Sequence, residues 1–276
     1  MPATKSLFTC PCCGRKLIRE EHRYFCAAGH SYDVSREGYV NLLPANQRHS
    51  ENPGDDREMV NARTRFLESG WYAPLRERLS ELVESFPTDC PTVIDAGCGE
   101  GYYSEALLEA VRQKNGRMAG VDISRPAARK AAKRCPDMEV SVASVYHLPF
   151  ADVTADILLD CFSPLAEEEF RRVLKPGGRF FYVVPGPRHL WELKQILYDR
   201  PYENEYRVEQ YEGFRFLSDQ PVEYEFELED REEILALFHM TPYAWKTPKN
   251  GIARLNEIQS IRLTAQFRIL QYEKTA

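Results

Sequence analysis

The sequence predicts an α/β fold: a doubly wound parallel sheet carrying a small cysteine-rich module at its N-terminal end. Three observations predict it. Short apolar, β-branched runs alternate with helix-like stretches across residues 91–200, separated only by short turns. One run, Val93-Ile94-Asp95-Ala96, ends by opening onto Gly97-Cys98-Gly99-Glu100-Gly101, with glycines at alternate positions ahead of a helical segment. The pairs Cys10-x2-Cys13 and Cys26-x3-His30 stand near the N-terminus at metal-ligand spacing.

Composition sets the bounds. At 276 residues, 43% hydrophobic and 12% aromatic, the chain can bury one large α/β domain and a small appendage. No apolar run reaches the length of a membrane span and residues 1–9 lack a signal-peptide core, so a soluble cytoplasmic protein with no membrane partner is expected. Three of the eight cysteines crowd into Cys10, Cys12 and Cys13, which points to metal rather than disulfides. The net charge of −6 argues against indiscriminate nucleic-acid binding, but it is uneven. Residues 1–49 hold seven Lys/Arg against four acids, a modestly basic head on an acidic body.

Taken in order, residues 6–40 read as a zinc ribbon. Twelve residues separate Cys13 from Cys26, Arg23-Tyr24-Phe25 and Ser31-Tyr32-Asp33-Val34 look like short strands, and Gly14 and Gly29 relax the turns. Two close ligand pairs on separate turns suit tetrahedral zinc at Cys10, Cys13, Cys26 and His30. Cys12 is the spare thiol, because an adjacent Cys12-Cys13 pair chelates poorly. Four protein ligands leave no open position, so the zinc should be structural, stabilising a module too small to fold on burial alone.

The head is assigned to residues 1–44 and a polar linker containing Pro53-Gly54-Asp55 to 45–56, with the large domain over 57–276. Asp55 or Asp56 caps a helix with Met59, Ala62, Phe66 and Leu67 on one face, ending at Gly70. A second helix, 74–86, carries Leu75, Leu79, Leu82 and Val83 at helical spacing. Then follow strand 92–96, helix 103–113, strand 118–123, helix 125–134, strands 139–144 and 156–162, helix 165–174, strand 178–184 and helix 188–199. Lys175-Pro176-Gly177-Gly178 is the turn into strand 178–184. Beyond Pro201 lies an irregular insert rich in aromatics (Tyr202, Tyr206, Tyr211, Phe214, Phe216). Strand 223–228, helix 231–238 and strand 261–270 then close the sheet with an antiparallel pair.

The glycine loop narrows the ligand. Gly97, Gly99 and Gly101 let the backbone turn tightly and let a bulky group approach. Asp122, closing the run Met118-Ala119-Gly120-Val121, stands where such sheets present a carboxylate to a ribose diol. Dinucleotide sites read G-x-G-x-x-G. Here an acid, Asp95, precedes the first glycine by two residues, a pattern that resembles motif I of class I S-adenosylmethionine-dependent methyltransferases. Asp95 and Glu100 would repel a pyrophosphate but not the cationic methionine end of S-adenosyl-L-methionine. A turn serving packing alone explains the glycines and leaves the acids unexplained.

Nearly end to end, the chain resembles the bacterial 23S rRNA (guanine-N1-)-methyltransferases. The likeness rests on the Cys/His ribbon, Glu37-Gly38-Tyr39-Val40-Asn41-Leu42-Leu43-Pro44, Pro53-Gly54-Asp55 before Met59, Ala62-Arg63, Phe66-Leu67 and Gly70-x-Tyr72-x-Pro74-Leu75. It continues through the glycine loop, Leu148-Pro149-Phe150, Pro185-Gly186-Pro187-Arg188-His189-Leu190 and Met240-Thr241-Pro242-Tyr243-x-Trp245. The glycine loop and Leu-Pro-Phe are widespread among methyltransferases; the ribbon joined to Gly-Tyr-Val-Asn-Leu-Leu-Pro is far more specific. The resemblance implies a Rossmann-like class I fold, methyl transfer to guanosine N1 in a domain II hairpin, zinc on the four ligands above, and a homodimer. It also implies donor contacts from Tyr72, Glu100, Gly101 and His189. Tyr72 could equally be a core aromatic, and His189 could merely begin a helix. Which hairpin guanosine is the target stays open, and any antibiotic-resistance role depends on it.

Methylating N1 requires release of its proton, so a base or a stabiliser of developing O6 charge is expected. Asp160, in Leu159-Asp160-Cys161-Phe162-Ser163-Pro164, is the one ionisable candidate at the usual acceptor-side strand end; it could simply be a strand-edge carboxylate. Phe162 or Tyr243 either stacks on an extruded guanine or fills core. Arg15, Lys16, Arg19 and Arg23 either contact RNA phosphates, making the head an RNA-recognition module, or form a solvated charged face. Two other functions fit parts of the sequence: a small-molecule methyltransferase, which has little use for a ribbon, and a non-catalytic RNA-binding protein retaining the donor pocket.

Overall fold

The structure, a computed structural model, describes residues 4–47, 50 and 53–276. Strands β1 (Thr4–Thr9), β2 (Lys16–Arg19), β3 (Arg23–Cys26) and β4 (Ser31–Asp33) form an antiparallel four-stranded sheet in sequence order. The two expected strands are there, and β1 and β2 add a hairpin whose turn carries the first cysteine pair. Of the linker expected over 45–56, positions 48, 49, 51 and 52 lie outside the described residues.

The large sheet comprises β5 (Val40–Asn41), β6 (Thr92–Ala96), β7 (Arg117–Asp122), β8 (Glu139–Val142), β9 (Ala155–Cys161), β10 (Leu174–Pro185), β11 (Phe214–Leu228) and β12 (Ile261–Lys274). Its order is β11-β12-β10-β9-β6-β7-β8-β5, parallel from β5 to β10, with β12 antiparallel to both its neighbours. The chain winds outward from β6 to β8, then crosses back to β9. The direction therefore switches between β6 and β9, where open α/β sheets gather ligands.

Alternation along the strands explains the layers. Val93, Ile157, Leu159 and Val183 face one core, lined by α1 (Arg57–Glu68), α2 (Ala73–Glu84), α3 (Tyr102–Gln113), α4 (Arg125–Arg134) and α7 (Arg231–Met240). Ile94, Ala96, Leu158 and Phe180 face the other, which holds α5 (Glu167–Val173) and the buried ribbon residues Leu7, Phe8, Leu17 and Tyr24. No α-helix connects β8 to β9, only a short 3-10 turn at Val145–His147. The ribbon covers the face that a crossover helix would take.

It is fastened there by specific contacts. Phe8 bridges Phe150, and the Thr9 N–H donates to the Pro149 carbonyl at 2.7 Å. Buried Glu139 accepts from Ser6 Oγ at 2.5 Å, from the Leu7 N–H at 3.0 Å and from Arg117 at 2.8 Å. Leu148-Pro149-Phe150 is thus a docking ledge for the head.

Elsewhere the sequence expectations shift in definable ways. Val40–Asn41, which periodicity could not identify, pairs in parallel with Ser141 and Val142. β10 begins at Leu174, absorbing Lys175-Pro176-Gly177-Gly178 as an irregularity with Gly177 at φ +78°. The helix expected over 188–199 is α6 (Trp191–Leu197), because Leu190 at φ +54° belongs to the turn before it. β11 starts at Phe214 rather than 223, since β12 runs on to Lys274 and pairs along its whole length. Two short helices, α8 (Tyr243–Lys246) and α9 (Lys249–Glu257), fill the stretch before β12.

Candidate functional site

Two sites take shape. In the head, the first turn is tied by the Gly14 N–H to the Cys10 carbonyl (2.8 Å) and the second by the Gly29 N–H to the Cys26 carbonyl (3.0 Å), both glycines at positive φ. The turns bring the ligand atoms of Cys10, Cys13, Cys26 and His30 within 4.8 Å of one another. A tetrahedral centre with Zn–S about 2.3 Å and Zn–N about 2.0 Å requires edges of roughly 3.7 Å between sulfurs and 3.5 Å from sulfur to nitrogen. Cys13 Sγ and Cys26 Sγ are 3.7 Å apart, and His30 Nδ1 lies 3.4 Å from Cys10 Sγ and 3.5 Å from Cys26 Sγ. The residues fit the metal. Tyr32, which the spacing gave no reason to single out, sets its hydroxyl 3.0 Å from Cys10 Sγ and 3.4 Å from the outlying Cys12 Sγ.

The second site is a cleft at the carboxyl ends of β6, β7, β9 and β10. Gly97, Gly99 and Gly101 all have positive φ. A Cβ on Gly97 would collide with the Ser163 side chain and one on Gly101 would stand 3.0 Å from Ala131 Cα, whereas Gly99 faces open space. The first and third glycines therefore serve packing. The Gly99 N–H donates to Asp122 at 2.9 Å, and the Ser124 N–H to its other oxygen at 2.7 Å, fixing the carboxylate plane.

Four acids meet at these strand ends. Asp95 accepts from Ser104 Oγ at 2.6 Å, Glu100 from the Tyr102 N–H at 3.4 Å, and Asp160 from the Ser163 N–H at 3.0 Å. Each has a second, buried oxygen without a hydrogen bond: Asp95 Oδ1, Glu100 Oε1 and Asp160 Oδ2. Burial pushes the Asp95 carboxyl up to about 7, the Ser104 bond opposing it and repulsion from Asp122 and Glu100 adding to it. Burial likewise raises Asp122 to about 6, and raises Glu100 and Asp160. Unsatisfied buried carboxylate oxygens call for a ligand that brings hydrogen-bond donors and positive charge. The cationic methionine end of S-adenosyl-L-methionine meets that requirement; a pyrophosphate does not.

Tyr72, just before α2, and His189, just before α6, come together over one face of the sheet. Tyr72 Oη lies 3.3 Å from His189 Nε2, with the tyrosine ring edge-on to Phe66, Phe226 and Phe267. The Gln266 N–H donates to His189 Nδ1 at 3.1 Å, and burial lowers the imidazole to about 3. The ring is therefore neutral, carries its hydrogen on Nε2 and donates it to Tyr72, leaving the phenol proton free.

Beside Asp160, Phe162 holds φ +61°, an outlying conformation for a bulky residue, and keeps its ring 44% exposed. Tyr243 is instead half-buried beside Tyr198 and Lys194. Arg63, within the quoted Ala62-Arg63 pair, had no role assigned by spacing; it reaches over the cleft from α1.

The sequence relations agree with this geometry. The family model described as RlmA, N-terminal matches residues 8–51, and that described as Methyltransferase domain matches residues 93–178. YxjB of Bacillus subtilis (strain 168), provisionally named a 23S rRNA (guanine-N(1)-)-methyltransferase, is 35% identical over 96% of both chains. The 23S rRNA (guanine(748)-N(1))-methyltransferase of Streptomyces fradiae is 38% identical over 68% of this chain and 66% of its own. Malonyl-[acyl-carrier protein] O-methyltransferase of Hamiltonella defensa, 34% identical, covers only 37% of this chain. Similarity spanning ribbon, cleft and C-terminal strands together separates these relatives, and by it the chain belongs to the 23S rRNA (guanine-N(1)-)-methyltransferase family.

Proposed function

We propose that this chain transfers the methyl group of S-adenosyl-L-methionine to N1 of a guanosine in a 23S rRNA domain II hairpin, in the cytoplasm. The observation that carries the reading is the cluster of buried, unpartnered carboxylate oxygens on Asp95, Glu100 and Asp160 at the sheet's switch point. When bound, S-adenosyl-L-methionine supplies an electrophilic methyl on a sulfonium. Asp95 and Glu100 take the ammonium end, Gly99 leaves the backbone open to the donor while Gly97 and Gly101 pack the turn, and Asp122 holds the ribose diol. Tyr72 and His189 close the pocket, with the free phenol proton available to donate into it.

Guanine N1 must give up its proton as the methyl arrives. Asp160 is the group we assign to receive it. Burial raises its pKa, and positive charge entering the cleft favours the ionised form that can accept. Phe162 offers the exposed face on which an extruded base stacks. Cys10, Cys13, Cys26 and His30 hold a structural zinc in the head. Arg15 and Lys16, exposed on its first turn, meet phosphates, whereas Arg23 is engaged with Glu20 at 2.7 Å.

The test is methyl incorporation from labelled donor into protein-free 23S rRNA, intact subunits, tRNA or buffer. Incorporation confined to 23S rRNA, with reverse transcription stopping one nucleotide before a domain II guanosine, is the expected result. Incorporation into no RNA overturns the reading.

A further inference from the structure

The acids of the cleft account for the ammonium of an amino-acid ligand, but such a ligand also carries a carboxylate, which the same acids repel. A cation must face them. Arg63 is placed to be that cation. Its side chain, 24% exposed, leaves α1 toward the strand ends, donating from Nη1 to Asp55 Oδ2 at 2.5 Å and from Nη2 to the Met240 carbonyl at 3.5 Å. Asp55 is itself fixed over the cleft: its carbonyl accepts from Ser124 Oγ at 2.6 Å, two residues beyond Asp122. Gly54 packs so closely beneath that a Cβ would stand 2.8 Å from Ile123 Cγ2. The segment 53–56 therefore straps the guanidinium above the loop after β7.

The charge of Arg63 is felt at three strand ends, opposing burial at Glu100 (after Arg134), at Asp122 (after the Ser124 and Gly99 N–H groups) and at Cys161. The neighbouring cations have partners of their own, none of them on the 53–56 strap. Lys130 Nζ donates to Thr64 Oγ1 at 2.8 Å, Arg134 pairs with Glu68 at 2.8 Å, and Arg76 pairs with Glu105 at 2.9 Å. A guanidinium has five N–H donors, and the two bonds of Arg63 leave three, enough to take a carboxylate in a forked pair.

We propose that Arg63, held by Asp55 across the 53–56 strap, grips the α-carboxylate of the methyl donor. This rests on the donor reading above and assigns within it a specificity-determining residue. The strap then has a purpose beyond joining head to body, since it aims a cation that distinguishes an amino acid from a simple amine.

The experiment is calorimetric titration of the full-length, zinc-loaded protein with S-adenosyl-L-methionine and with its decarboxylated form, which keeps the sulfonium, adenosine and ammonium. Wild type should bind the decarboxylated ligand about 10- to 100-fold more weakly, the loss expected for a charged hydrogen-bonded pair. Arg63→Gln should lose a similar factor for the intact donor and change within about threefold for the decarboxylated one, erasing the discrimination. Arg63→Lys, with charge but no fork, should fall between. Wild type binding both ligands alike overturns the assignment without any variant needing to fold. Equal weakening of both ligands by Arg63→Gln reduces Arg63 to a brace for the strap. Wild type binding neither ligand instead removes the donor reading itself.

Discussion

Asp95 shows how a single side chain can be poised for a ligand at the expense of the empty fold. Its carboxyl ionises near pH 3.8 when unfolded and at about 7 in the cleft. A folded pKa raised above the unfolded one gives stability that is present below about pH 4 and is lost as pH rises to about 7. Asp122, raised to about 6, acts in the same sense. Within that window each such carboxyl costs the ligand-free protein up to about 1.4 kcal/mol per pH unit. Asp95→Asn should therefore unfold at higher urea than wild type at pH 7.5, and the difference should shrink steadily as pH falls towards about 4. Parallel urea midpoints across that range would show that Asp95 is not the buried acid described here. The acid and its glycines were visible in the sequence because the strand-loop-helix spacing marks them. Arg63 was not, because an arginine on an amphipathic helix reads like any solvent-facing charge until Asp55, eight residues before it, is seen to be pinned by Ser124 and to hold it.

Elements show the same divide between local and distant causes. The start of α1 was legible, and Asp56 does cap it, accepting from the Met59 N–H at 2.9 Å. The bounds of β6 and α4 follow equally from a run, an acid or a Ser124 cap, and a first-turn proline. β5 was not legible: two residues have no period, and Val40–Asn41 becomes a strand only because β8 offers an edge. The docking of β1 was hidden for a like reason, since Glu139 lies 133 residues from Ser6. These two acids differ in what they hold. Removing the cap by Asp56→Ala should cost about 1 kcal/mol. Glu139→Ala leaves the Leu7 N–H without an acceptor and Arg117 without its carboxylate, and should cost about 2–4 kcal/mol. Urea unfolding of the two variants side by side checks the ranking. Equal losses would mean that the head rests on the body without being fastened to it.

For the molecule as a whole, the consequence is that the metal serves more than the head. Leu7, Phe8, Leu17 and Tyr24 share one buried cluster with Ile94, Ala96, Ala119 and Val121, strand residues whose neighbours Asp95 and Asp122 form the cleft. A ribbon that bury so little on its own depends on its metal, and structural zinc contributes on the order of 10 kcal/mol to such modules. Losing it uncovers the face between β8 and β9 that no helix protects. Chelation should then lower the melting temperature of the whole chain by on the order of 10 °C and weaken binding of S-adenosyl-L-methionine, although no zinc ligand lies in the cleft. Cys12→Ser, outside the four-ligand cluster, should keep both properties and serves as the control. Calorimetric melting and donor titration before and after chelation decide the matter. An independent appendage would melt separately and leave donor affinity unchanged, whereas a ribbon that stands in for a missing layer of the sheet takes the cleft with it.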